Sequence, residues 1–241
     1  MDVEKEIEFF SNLVSQQGDY DPLSESAYVR VIKLFERLTK PRPGEACLDL
    51  GAGTGAFTRR LSTYSLKLSG MDICPAAINL ARKVTPGVDF FEGDIRDTGL
   101  AANSFDIVVY SGVLHHFSAL ENRLAALCEG KKVLKPGGRL FAFDPNLHSP
   151  AMRLYRSSKW KGQTASEILL SRRQLGAELA EAGFSNIHIE GLGGITLRSA
   201  SSKIGEITRP FYNIYEQAIR FSPFQNALGT YLVSFAVKPS R

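Results

Sequence analysis

From about residue 44 to residue 145, short apolar runs that end in turns alternate with longer stretches of helical period. "ACLDL", "LKLSGMDI", "VDFFEGDI", "SFDIVVYSGV" and "GGRLFAFDP" read as strands. "TRRLSTYS", "CPAAINLARK" and "ALENRLAALCEGKKVL" read as helices, the second with Pro75 in its first turn, where a missing N–H costs nothing. Parallel neighbours cannot be joined by a tight hairpin, so this rhythm demands crossover helices over a parallel sheet. The class is α/β.

The flanks differ. The first forty residues read as helices, with Val29, Ile32, Phe35 and Leu38 on one face, and "KPRPGE" ends them. After Pro145, "NLHSPAMRLYRSSKWKGQTA" has no clean period and reads as an inserted loop or lid. A helix, "SRRQLGAELAEAGF", and a strand, "NIHIEGL", follow, and "TYLVSFAVK" is a last strand. Between those strands, Phe211, Ile214, Tyr215, Ala218 and Ile219 recur at helical spacing, and this apolar face is expected to pack on the domain itself. The expected organisation is one domain over 1–241: a helical cap (1–43), a core (44–145), and a lid with helices and final strands (146–241).

Composition narrows the classes. The 241 residues are 44% hydrophobic and 22% charged, ordinary values for a globular chain. No apolar run reaches membrane-spanning length, which leaves peripheral association open. "MDVEKEIEFF" lacks the basic start and apolar core of a secretory leader. Cys47, Cys74 and Cys128 are too few and too scattered for a metal site, and fit core thiols in a reducing cytoplasm. The net charge of +4 is spread over pairs such as Arg59–Arg60 and Lys131–Lys132, more like solvated helix faces than a nucleic-acid groove.

"LDLGAGTGAF", Leu48 to Phe57, follows the first strand, where the ligand of a parallel sheet sits. Gly51, Gly53 and Gly55 suit a tight turn with close backbone approach. Asp72, 21 residues after Gly51 and at the end of the second strand, can accept both hydroxyls of a ribose. With Ala56 in its last slot, the loop also passes the dinucleotide fingerprint. Asp49 argues against that, because a carboxylate at the strand end repels a pyrophosphate and attracts an ammonium or sulfonium. Asp94 and Ile95, at the end of the third strand, can take an adenine amino group and a ring nitrogen. The three aspartates together favour S-adenosylmethionine.

The series "LDLGAGTG", "GMDICPAAINLARK", "EGDIRD", "FDIVVYSGVLHHF" and "LKPGGRLFAFD" resembles the class I S-adenosylmethionine-dependent methyltransferases over roughly 44–145. It is most similar to the small-molecule group that includes the ubiquinone and menaquinone methyltransferases. The resemblance implies a Rossmann-like three-layer sandwich with a seven-stranded, mostly parallel sheet whose last strand is antiparallel. It implies cofactor contacts from Asp49, Gly51 and Gly53, ribose contacts from Asp72, adenine contacts from Ile73, Asp94 and Ile95, and Ser111 beside the methionine moiety.

The acceptor should approach the ends of the fourth and fifth strands, near His115, His116 and His148. A neutral imidazole is a natural base there. Since "LHHF" recurs in this group among enzymes with unlike acceptors, one of the pair is expected to be structural, and His116 and His148 are the candidate acceptor residues. Asp144 is a further candidate base; without a carboxylate cluster around it, no metal is expected. Tyr155, Trp160 and the 211–224 aromatics could roof an aromatic, polyketide or prenylated acceptor, with Tyr20 and Tyr28 closing the other side. Enzymes acting on exocyclic base amines carry an Asn or Asp, two prolines and an aromatic where this chain has "YSGVLHHF", and no Cys is placed as a nucleophile for cytosine C5. A small molecule is therefore the expected acceptor, by O- or C-methylation, and nucleic acid is disfavoured. Two alternatives remain: an NAD(P)-dependent oxidoreductase and a catalytically silent S-adenosylmethionine-binding protein. The oligomeric state is not legible.

Overall fold

A computed structural model describes residues 3–19, 21, 23–157, 167–197 and 203–240. Tyr20 and Trp160 lie outside the described residues. Two helices, α1 (Val3–Gln17) and α2 (Glu25–Thr39), precede the sheet. Then come β1 (Ala46–Leu50), α3 (Ala56–Arg60), β2 (Lys67–Asp72), α4 (Pro75–Val84), β3 (Asp89–Glu92), β4 (Phe105–Ser111), α5 (Leu120–Val133) and β5 (Leu134–Pro145). The chain continues through α6 (Pro150–Ser157), α7 (Arg172–Glu181), β6 (Ser185–Leu192), α8 (Lys203–Ile219), α9 (Gln225–Leu228) and β7 (Tyr231–Val237).

The seven strands form one sheet in the order β3-β2-β1-β4-β5-β7-β6. β1 to β5 pair in parallel, and β7 runs antiparallel to both β5 and β6. The central strands are buried on both faces, so they read as continuous apolar runs rather than alternating ones. In β4, Val108 and Tyr110 face a core formed with Leu127, Leu175 and Leu179. Ile107 and Val109 face the opposite core, with Phe35, Phe57 and Tyr212. Three layers result.

Three expectations change. Within the stretch read as an inserted loop or lid, residues 150–157 form a helix, α6. The 211–219 apolar face does not pack inward as a unit: Tyr212, Glu216 and Ile219 are buried, whereas Phe211, Ile214 and Ala218 are exposed. Helical period identifies an apolar face but not which way it turns, and here α8 buries a carboxylate instead. Of the cysteines, Cys47 and Cys74 are buried but Cys128 is exposed. Among the described residues, no helix is long and apolar enough to cross a membrane.

Candidate active site

Strand order reverses between β1 and β4, and the C-terminal ends of the strands open there on a cavity of about 310 Å³. Its floor is the loop 51–54 with Asp72 and Ile73 beyond β2, Asp94 and Ile95 beyond β3, and Ser111 to Val113 at the end of β4. Its roof includes Glu6, Phe10, Leu13 and Gln17 of α1, which recur at i, i+4, i+7 and i+11 and so share one helix face. Met152 and Tyr155 of α6, Tyr212 of α8, Tyr231 of β7 and Glu167 also line it.

The loop geometry follows from its glycines. Gly51 has φ +82°, and a Cβ there would lie 2.5 Å from Val113. Gly53, at φ +54°, donates its N–H to Asp72 Oδ2 at 2.8 Å, and the other oxygen of Asp72 accepts the Cys74 N–H at 2.9 Å. Asp72 thus staples the turn after β1 to the end of β2. Burial raises its pKa, and the Cys74 and Gly53 N–H groups and the nearby His116 act in the opposite direction.

Asp49 does not line the cavity. Side chains of β1 alternate, and its carboxylate sits beneath the floor, accepting from Thr58 Oγ1 at 2.7 Å and Ser111 Oγ at 2.9 Å. Burial pushes its pKa up to about 6, with the two hydroxyls countering and the Asp72 charge adding to the rise. Ser111 carries its influence to the cavity. Asp94 does line the cavity, gripped by Arg96 through Nε at 3.0 Å and Nη2 at 2.5 Å. Partial burial would raise its pKa, but the Arg96 hydrogen bonds and charge outweigh that and hold it below the ordinary carboxylate range.

This set fits S-adenosylmethionine better than a dinucleotide. Among the described lining residues are five carboxylates, Glu6, Asp21, Asp72, Asp94 and Glu167, and no lysine or arginine. The Gly53 N–H that a pyrophosphate would need is already taken by Asp72. A ligand bearing a sulfonium, an ammonium and a ribose meets carboxylates and carries no phosphate to be repelled.

The acceptor side differs from expectation at three residues. His148 is exposed and outside the lining; its N–H donates to Asn146 Oδ1 at 3.0 Å in a turn that directs it outward. Asp144 is fully buried and also outside the lining, because strand alternation turns Phe143 and Pro145 to the cavity and Asp144 away. His115 instead faces the cavity. Asp144 Oδ1 meets its Nδ1 at 2.9 Å and accepts its backbone N–H at 3.1 Å, while its Nε2 lies 4.0 Å from Glu167. His116 lines the cavity too, with Nδ1 3.7 Å from Glu6 and 3.8 Å from Glu167 and its ring against Phe10. Neighbours in sequence, the two histidines could not be told apart by spacing; only the register of β5 selects which one meets Asp144. Glu6 and Arg96 gave no signal, since each reads as an ordinary charge on a helix or loop.

The turn that carries these histidines is pinned from behind. Arg123 of α5 donates to the carbonyls of Phe117 and Ser118 and pairs with Glu178 of α7 at 2.6 Å, both side chains being buried. Among the described residues, no group of three or more metal-ligating side chains is gathered at one point.

Residues 48–142 match the model of the methyltransferase domain family. The chain is 30% identical over 124 residues to a probable tRNA methyltransferase 9B of Bos taurus, covering 52% of this chain and 26% of that one. It is 33% identical over 118 residues to a demethylmenaquinone methyltransferase of Tropheryma whipplei, covering 46% and 48%. It therefore spans less than half the length of either relative. A solved structure of an S-adenosylmethionine-dependent methyltransferase from Thermotoga maritima, described as a possible histamine N-methyltransferase, superposes with a TM-score of 0.68 over 96% of this chain and 99% of that one, at 18% identity. Strand order, glycine turn, phosphate-averse cavity and family match converge: the chain carries a class I S-adenosylmethionine-dependent methyltransferase domain.

Proposed function

We propose that the protein transfers a methyl group from S-adenosylmethionine to an acidic hydroxyl or carbon of a small, apolar-bodied acceptor, with His115 as the base. The observation that carries this reading is the His115–Asp144 pair at the acceptor end of the cavity. An ionised carboxylate only accepts hydrogen bonds, so Asp144 fixes the proton on Nδ1 and makes Nε2 the basic nitrogen of the ring. As His115 takes that proton, Asp144 and Glu167 stabilise the imidazolium.

When bound, the cofactor supplies an electrophilic methyl carbon already activated by sulfonium. The protein's own work is to bind, align and deprotonate. Asp72 is assigned to the ribose hydroxyls, Ile73, Asp94 and Ile95 to adenine, and Gly51, Gly53 and Ser111 to the methionine end, with Asp49 acting through Ser111. Phe143, Tyr155, Tyr212 and Tyr231 give the acceptor an apolar wall, and the helical roof limits water. The absence of lysine and arginine from the described lining disfavours a polyanionic acceptor such as tRNA.

The test is homocysteine release with a panel of phenols, quinols and carbon acids, repeated with Asp144→Asn. An amide can donate to Nδ1 and reverse the tautomer, so kcat should fall about 10²- to 10⁴-fold with S-adenosylmethionine affinity unchanged. Equal kcat for wild type and Asp144→Asn would remove the assigned base. Turnover with tRNA and none with the panel would overturn the acceptor class.

A further inference from the structure

α8 is turned so that its apolar face meets solvent. Ile207, Phe211, Ile214 and Ala218 recur at i, i+4, i+7 and i+11, and the stripe runs on to Phe221 and Phe224 in the segment that follows. The large members are between 64% and 77% exposed. The opposite face holds Tyr212, Glu216 and Ile219, all buried. Scattered exposed apolar residues are normal, but six aligned on one helix and its extension are a patch with a purpose.

The rim of the patch is basic. Arg220 lies over the Phe221 ring at 4.5 Å, and Arg153 is exposed on α6, which packs beside α8. Glu216 of α8 is buried on the far side. Two copies meeting face to face would bring basic rims together, which repels. An apolar stripe with phenylalanines between cations matches a helix lying in the interface of an anionic bilayer.

We propose that α8, with the adjoining α6, docks on membranes containing anionic lipid and that the acceptor is drawn from that bilayer. The second half of this rests on the methyl-transfer reading above. The inner faces of these same helices supply Met152, Tyr155 and Tyr212 to the cavity, so the docked surface and the acceptor side of the cavity are two faces of one layer. A lipid-soluble acceptor would then leave the bilayer beside the site that uses it.

The experiment is co-sedimentation of the purified full chain with vesicles of phosphatidylcholine containing about one-third phosphatidylglycerol, compared with phosphatidylcholine alone. The expected result is binding to the anionic vesicles that weakens as salt rises and falls at least about tenfold in Phe211→Ser/Ile214→Ser. Calorimetric binding of S-adenosylhomocysteine by the double variant confirms that it is folded. No binding by wild type, or binding unchanged in the double variant, would overturn the proposal. So would a dimer, seen by sedimentation velocity, that the double variant dissociates, because the stripe would then belong to a second copy. Vesicle binding requires no methyl transfer, so its failure leaves the cofactor reading intact. Failure of wild type to bind S-adenosylhomocysteine would sink that reading without touching the membrane result.

Discussion

At Asp72 a single carboxylate does two jobs. It accepts N–H groups from Gly53 and Cys74, fixing the loop, and it presents its remaining lone pairs to the cavity. Asp72→Ala should therefore weaken S-adenosylhomocysteine binding by about 10- to 150-fold, the equivalent of roughly 1.5–3 kcal/mol for hydrogen bonds to a charged group. Calorimetry checks this, and unchanged affinity would remove the assignment. Glu216 offers a second test. Burial lifts its carboxyl to about 7, against the smaller opposing pulls of Thr230, the Ile195 and Gly194 N–H groups and Arg30. Because the folded state holds this proton more tightly than the unfolded chain, the contribution to stability is full below about 4.5 and fades as pH rises to 7. Glu216→Gln keeps an acceptor for the Ile195 N–H at 2.7 Å but cannot ionise. Relative to wild type, it should gain on the order of 3 kcal/mol between pH 4.5 and pH 8, read from urea midpoints. A difference independent of pH would contradict the buried, neutral carboxyl. At this scale the sequence was legible where a residue works through its local position: Asp72, Asp94, Ile95, Gly51 and Gly53 all lie on the cavity floor. It was not legible for the His115–Asp144 pair, which depends on a strand residue 29 positions away, nor for Glu6, which only the docking of α1 carries to the site.

Among the elements, α1 is weakly anchored in the core yet lends four residues to the site. Glu6 is its one buried residue, and the helix rests on α4, where Ser11 Oγ and Cys74 Sγ are 3.5 Å apart. The Glu6, Phe10, Leu13, Gln17 face covers the cavity as a roof. Deleting residues 1–17 should leave the sheet folded, with a small change in Tm, and speed S-adenosylhomocysteine dissociation by at least about tenfold, because the lost face buries ligand without framing the turn after β1. Stopped-flow fluorescence gives the rate; an unchanged rate would mean that α1 does not cover the ligand. Strand positions and the helices of the core could be read from period and turn residues, since both cores impose burial on nearly every central-strand side chain. The orientation of α8 could not. Its apolar period is genuine, but the inward face was settled by the Glu216 contacts with backbone 21 residues earlier.

Over the whole molecule, the sheet order places four strand ends around one point, and the two halves of the chain contribute different things there. The region before Pro145 supplies four of the five lining carboxylates, the glycines and the histidines; the region after it supplies Glu167 and the apolar side chains of Met152, Tyr155, Tyr212 and Tyr231. No lysine or arginine is among the described lining residues, and the N–H that a pyrophosphate would seek is bound to Asp72. The cofactor is thus decided by charge at the scale of the site, beyond what a glycine spacing can decide. The most direct measurement is calorimetric titration of the full chain with S-adenosylhomocysteine and, separately, with NADH. One-to-one binding of the first in the micromolar range and no heat from the second are expected. Binding of NADH without S-adenosylhomocysteine would contradict the site as described, and with it the roles given to Asp72, Asp94 and Ser111.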